Sequence, residues 1–238
     1  MNGKNSGGKP TGRQMAVRVK TAAKRTSSST RWLQRQLNDP YVAEAQRLGY
    51  RSRAAFKLIQ LDDKYRLLTP GKRVVDLGAA PGGWTQVAVH RVRPLQGKGK
   101  VVAVDILEME PIAGATVLQA DFLDFDTPAR LREALDGEAD LVMSDMAASA
   151  TGHRQTDHLR IVSLAEAAYA FATEVLTPGG SFLAKVLQGG AERELLEPLK
   201  RDFATVRHAK PPASRADSSE SYVLATGFRA HRSEKDEG

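Results

Sequence analysis

Five short apolar runs punctuate the chain, each closing on or beside a polar residue: Arg73-Val-Val-Asp-Leu77, Val101-Val-Ala-Val-Asp105, Ala115-Thr-Val-Leu-Gln-Ala-Asp121, Leu141-Val-Met-Ser-Asp145 and Ser181-Phe-Leu-Ala-Lys185. Continuous apolar runs of this length predict strands buried on both faces. Between them the spacing turns helical. The clearest case is Leu159–Leu176, where Ile161, Leu164, Ala165, Ala168, Ala172, Val175 and Leu176 fall on one face and Thr177-Pro-Gly-Gly180 ends the helix. Ahead of the first strand, Ser27–Leu37 and Pro40–Gly49 predict a helical lead-in. Ser52–Asp62 predicts a helix capped by Ser52, with Phe56, Ile59 and Leu61 inward and Thr69-Pro-Gly71 as breaker. Two late runs, Ala204–His208 and Ser221–Phe228, predict a terminal antiparallel pair.

Strands alternating with helices give an α/β fold, a doubly wound and mostly parallel sheet covered on both faces, with a terminal antiparallel strand. Ligands of such sheets bind beyond the carboxyl ends of the strands. Asp105, Asp121, Asp145 and Lys185 are therefore expected along one rim. The length of 238 residues suits one domain with an appended tail. A hydrophobic share of 41% with 26% charged residues excludes a wholly disordered or collagen-like chain. No run approaches the roughly 20 apolar residues of a membrane span, and the N-terminus lacks a signal-peptide centre, so the expectation is a cytoplasmic protein with no membrane partner. The absence of cysteine removes disulfides, thiolate nucleophiles and cysteine-ligated metals.

Charge changes the picture once it is located. Of the 35 basic residues, nine lie in residues 1–36, where there is no acid; the remaining 26 face 28 acids, a balance of −2. The excess positive charge is a tail, which suits a polyanion such as RNA; a solubilising extension is the plainer alternative. Its glycines argue against a mitochondrial transit peptide.

Asp76-Leu-Gly-Ala-Ala-Pro-Gly-Gly-Trp84 is the most specific segment. It lacks the Gly-Lys-Ser/Thr of a phosphate-binding loop and the G-x-G-x-x-G spacing of a dinucleotide fingerprint, which leaves hydride transfer as a second choice. Small residues here would let an adenosine with an amino-acid tail lie on bare backbone, with Asp105 accepting from ribose hydroxyls and Asp121 from the adenine amino group. A bare tight turn is the alternative. Trp84 could equally be core or a cofactor contact, and Asp145 could simply cap a turn. His153 and His158 show no paired ligand pattern, and no metal site is expected.

Taken together with Ser29-Thr-Arg-Trp-Leu-Gln34, Arg51-Ser-Arg-Ala-Ala-Phe-Lys-Leu58, Gln119-Ala-Asp-Phe122, Val142-Met-Ser-Asp-Met146, Phe182-Leu-Ala-Lys-Val186 and Ser219-Glu-Ser-Tyr-Val223, this segment resembles the FtsJ/RrmJ (RlmE) family of S-adenosylmethionine-dependent ribose 2′-O-methyltransferases, over about residues 28–228. The resemblance implies a Rossmann-like methyltransferase domain at 31–228; charge and composition add a basic tail at 1–30, expected to be disordered, and a charged end at 229–238. It implies a catalytic tetrad of Lys57, Asp145, Lys185 and Glu220, and cofactor contacts from Gly82, Trp84, Asp105, Asp121 and Asp145. Read singly, each of these Lys and Glu residues could be a solvated surface residue; their order is what carries the assignment.

A ribose hydroxyl is a poor nucleophile, so a site must remove its proton while aligning its oxygen for in-line displacement. Lys185 is the expected base. A cationic methyl donor and Lys57 favour its neutral form; Asp145 and Glu220 favour its charged form, so the four are expected to titrate as a coupled set. The resemblance further implies a uridine of large-subunit ribosomal RNA as substrate, late in subunit assembly, and a monomeric enzyme. Arg51, Arg53, Lys57 and the tail would hold phosphates. Transfer RNA, a messenger cap and an idle RNA-binding assembly factor are the competing expectations. The approach to Glu220, Ser214-Arg-Ala-Asp-Ser-Ser-Glu220, is less basic than the resemblance leads one to expect.

Overall fold

The computed structural model describes residues 26–148, 151–188 and 193–229. The basic segment 1–25 and the end 230–238, which include most of both expected tails, lie outside the described residues.

Helices α1 (Ser27–Leu37), α2 (Pro40–Leu48) and α3 (Ala55–Tyr65) lead into strand β1 (Arg73–Leu77). Then follow α4 (Gly83–Val92), β2 (Lys100–Asp105), β3 (Thr116–Gln119), α5 (Thr127–Leu135), β4 (Ala139–Ser144), α6 (Arg154–Val175), β5 (Leu176–Leu187), α7 (Arg193–Asp202), β6 (Phe203–Ala209) and β7 (Glu220–Phe228). Among the described residues the strands form one seven-stranded sheet, ordered β3-β2-β1-β4-β5-β7-β6. The first five run parallel, and β7 slots antiparallel between β5 and β6. Strand order reverses between β1 and β4, which opens the rim of the sheet there to ligands.

Side chains alternate across the sheet. Val75, Leu77, Val142 and Phe182 pack with Leu131, Phe171 and Leu195 of α5, α6 and α7. Val74, Leu141, Met143 and Leu183 face Phe56, Leu58 and Val87 of α3 and α4. Both faces of β1, β2, β4 and the core of β5 are buried, which is why these strands read as continuous apolar runs; β3, expected to be buried on both faces, is instead half-exposed because it lies at the edge of the sheet. Truncating one of these side chains, such as the fully buried Phe182, to alanine is expected to cost about 3–5 kcal/mol.

Local signals explain most boundaries. Thr26 caps α1 by accepting from the Ser29 N–H, Asp39 caps α2 ahead of Pro40, and Gly49 closes α2 at φ 77°. Three boundaries depart from expectation. Helix α3 starts at Ala55 without a side-chain cap, and the Ser52 hydroxyl is buried against Gly83, where a β-carbon would come within 2.4 Å of it. The cause is tertiary: the Arg51 N–H donates to Gln86 and the Trp84 indole donates to the Ala54 carbonyl, binding residues 51–54 onto α4. Helix α6 begins at Arg154, five residues early, where Asp157 accepts from Thr151 and Gly152. The Thr177–Gly180 turn is absorbed into β5 as a bulge, because Ala139 pairs with Leu176 but Leu141 pairs with Ser181.

Candidate active site

The four residues of the expected tetrad come from four separate elements and meet at one place. Lys57 sits in the first turn of α3, Asp145 directly follows β4, Lys185 lies near the end of β5, and Glu220 opens β7. Residues at alternate positions share a strand face, so Lys185 emerges on the side of Leu183, and Glu220 and Tyr222 share one face of β7. That is the face covered by α3.

The tetrad forms two ion pairs. Lys57 Nζ is 2.7 Å from Glu220 Oε1, and Lys185 Nζ is 2.9 Å from Asp145 Oδ1. Lys185 also donates to the Asp145 carbonyl at 2.6 Å, and Ser214 donates to Glu220 at 3.0 Å. Both lysines are buried, at 7% and 9% exposed. Lysine is almost never buried unless paired, and here each is paired once with a carboxylate.

One residue of this cluster is missing from the expectation. Tyr222 is fully buried and its hydroxyl donates to Asp145 Oδ1 at 2.8 Å. Burial, then the charges of Asp145 and Glu220, push its phenol well above the usual range, so it stays a donor. The signal lay in Ser219-Glu-Ser-Tyr-Val223, where position i+2 from Glu220 must share its face.

Next to the tetrad, the turn between β1 and α4 forms a glycine-rich cradle. Gly82 takes φ 109°, and a β-carbon there would come within 2.7 Å of Ile112 and 3.0 Å of Met109. Asp105, at the end of β2, accepts from the N–H groups of Ala80 and Leu107 at 2.9 and 2.8 Å, which ties the turn to the next strand. Asp121, two residues past β3, accepts from the Leu123 N–H at 2.9 Å. Carboxylates have lone pairs beyond these bonds, which remain for a ligand's hydroxyl or amino groups.

Below the cradle, Asp76 on β1 is fully buried. One of its oxygens accepts from Thr85 at 2.6 Å and the other has no partner. Burial pushes this carboxyl up to about 7; the Thr85 bond opposes that, and the charges of Asp145 and Asp105 add to it. A glycine cradle with acids at two neighbouring strand ends fits an adenosyl methyl donor.

The remaining expected residues are placed differently. Of the two readings open for Trp84, the geometry favours packing: the indole is 3% exposed, donates to the Ala54 carbonyl and lies 5.6 Å from the Tyr222 ring. Arg51 spends its guanidinium on carbonyls, at 2.5 Å from Glu110 and 2.9 Å from Pro111. Arg53 pairs with Asp39 at 2.8 Å and donates to the Ala213 carbonyl. Arg215, in the loop before Glu220, pairs with the same Asp39 at 3.2 Å. Among the described residues no group of acids and histidines could hold a metal, and no helix is long and apolar enough to cross a membrane.

The chain is similar to known proteins. The chain is 65% identical over 236 residues to a ribosomal RNA large subunit methyltransferase E of Paramagnetospirillum magneticum, covering 95% of this chain and 97% of that one. It is 66% identical over 220 residues to a protein of the same name from Xanthobacter autotrophicus, covering 92% and 87%. A crystal structure described as a ribosomal RNA methyltransferase of Plasmodium falciparum superposes with a TM-score of 0.68 at 31% identity, covering 76% of this chain and 100% of that one. Residues 50–228, which include the cradle and all four charged residues, match the FtsJ-like methyltransferase family, and the chain therefore belongs to it.

Proposed function

We propose that this chain transfers a methyl group from S-adenosylmethionine to a ribose 2′-hydroxyl, in a uridine of 23S ribosomal RNA, late in assembly of the large subunit. The observation that carries the chemistry is the convergence of Lys185 with Asp145 and of Lys57 with Glu220. The name of the relatives, ribosomal RNA large subunit methyltransferase E, supports the substrate.

When bound, S-adenosylmethionine supplies an electrophilic methyl on a sulfonium centre. Asp105 and Asp121 would hold the adenosine, and the Gly82 turn and Asp145 its amino-acid end, with Trp84 supporting the site through the packed layer beneath. Lys185 is read as the base. In its neutral form the amine has two N–H bonds, matching its two acceptors on Asp145, the side-chain oxygen and the carbonyl. Its lone pair is then free for the ribose hydroxyl proton. Lys57 is held by Glu220 in the same buried cluster, with its ammonium 6.0 Å from the centre of the Tyr222 ring. The basic residues of 1–36 would add sequence-independent attraction to RNA. A monomer working in the cytoplasm fits this role.

The test is methyl incorporation into large subunits, free 23S RNA and transfer RNA, with the modified sugar mapped. A single 2′-O-methyluridine in subunits is the expected result. Preferred methylation of transfer RNA, or of a base, would overturn the reading.

A further inference from the structure

Tyr222 stands outside the four charged residues yet is bonded to the pair that does the chemistry. It is the cross-strand partner of Lys185 in the β5–β7 register. Its hydroxyl donates at 2.8 Å to Asp145 Oδ1, the same oxygen that Lys185 approaches at 2.9 Å. The Lys57 ammonium is 6.0 Å from the centre of its ring. The charged and titratable groups around the hydroxyl are thus Asp145 leaving β4, Lys185 on β5, Glu220 on its own strand and Lys57 on α3. Asp76 on β1 interacts electrostatically with Asp145 from behind.

We propose that Tyr222 is a positioning residue for methyl transfer: by donating to Asp145 Oδ1 it fixes the turn of that carboxylate and takes up part of its charge, loosening its hold on the Lys185 proton. The proposal rests on the reading of Lys185 as base.

The atoms allow it. A carboxylate oxygen has two lone pairs, enough for the phenol and the amine together. A hydrogen bond to a charged acceptor is strong, and it draws charge from the oxygen that the ammonium also needs. The tyrosine proton does not move in the reaction; the ribose proton passes to the Lys185 lone pair as the oxygen–methyl bond forms and the sulfur–methyl bond breaks. With the hydroxyl removed, Asp145 holds the ammonium more tightly, and a higher pH is needed before Lys185 is neutral.

Tyr222→Phe removes one oxygen and keeps the ring against Trp84. Its pH–kcat profile should rise at a pH higher by half a unit or more. Just above the foot of that limb, a one-unit shift lowers kcat about tenfold. The high-pH plateau should stay within about twofold of the parent, because the ring and its packing against Trp84 are kept. Replacing Tyr222 by a fluorotyrosine, a stronger donor of the same shape, should move the limb the other way. That second variant serves if the phenylalanine protein folds poorly. A role in packing alone would lower kcat at every pH without moving the limb, and would overturn the proposal. Lys185→Ala separates the two readings. If it still turns over, the base assignment fails and the proposal with it; if it is inactive while both Tyr222 variants keep the parental limb, the Tyr222 proposal alone fails.

Discussion

A β-carbon on Gly78 would lie 2.6 to 2.9 Å from three atoms of Met146, two of them backbone, so the turn leaving β1 and the chain leaving β4 are in direct contact. Gly78 also takes φ 75°, a conformation that other residues adopt only with strain. The contact puts the cradle and Asp145 side by side. Gly78→Ala should therefore displace the segment after Asp145. At least a tenfold loss in kcat, with weaker cofactor binding by calorimetry and a cost of about 1–3 kcal/mol in denaturant unfolding, is expected. Normal turnover would show that the two segments move independently.

Asp76 gives the protein a pH dependence of defined sign. Its carboxyl titrates near 7 in the folded chain, well above the ordinary value of 3.8. Between those values the folded state holds a proton that the unfolded state has lost, so stability is highest below about pH 4 for this group and falls as pH rises to about 7. The full effect is of order 4 kcal/mol. Asp76→Asn should flatten this part of the curve in denaturant titrations at pH 5 and pH 8. An unchanged difference between the two pH values would place the titration on other groups.

Arg51 separates a strut from a phosphate grip. Its guanidinium bonds to the carbonyls of Glu110 and Pro111, and its backbone N–H to Gln86, so it braces the chain ahead of α3 against α4 and the segment after β2. Arg51→Ala should raise the KM for S-adenosylmethionine about tenfold with a smaller change in RNA affinity. A loss confined to RNA affinity would restore the grip.

Seven of the nine basic residues in the N-terminal stretch precede residue 26. Deleting residues 1–25 should weaken RNA binding and lower the slope of log Kd against log salt by about 0.7–0.9 for each phosphate that the segment had neutralised. Cofactor affinity should not change. An unaltered salt slope would leave the segment as a solubilising extension.

The sheet was legible because β1, β2, β4 and the core of β5 are buried on both faces and carry polar residues at their carboxyl ends: Asp105, Asp145 and Lys185 mark the rim in the sequence as they do in space. The tetrad was legible by resemblance and order, since nothing local to Lys57 or Glu220 distinguishes them from surface charges. Tyr222 was not, because a tyrosine in an apolar strand reads as core, and its hydroxyl acquires a role only once β7 is set against β5. Ser52 misled for the opposite reason. A serine ahead of a helical run is a good cap, but the contacts of Arg51 and Ala54 with α4 outweigh a cap bond worth about 1 kcal/mol. Arg51 was read from its charge, whereas its acceptors lie about 60 residues away.

The central claim is that Lys185 removes the ribose proton. Single-turnover methyl transfer to large subunits by Lys185→Ala, with calorimetry of S-adenosylmethionine binding on the same protein, tests it most directly. Transfer should fall at least a thousandfold while the cofactor Kd stays within about threefold of the parent; transfer within tenfold of the parent would contradict the claim.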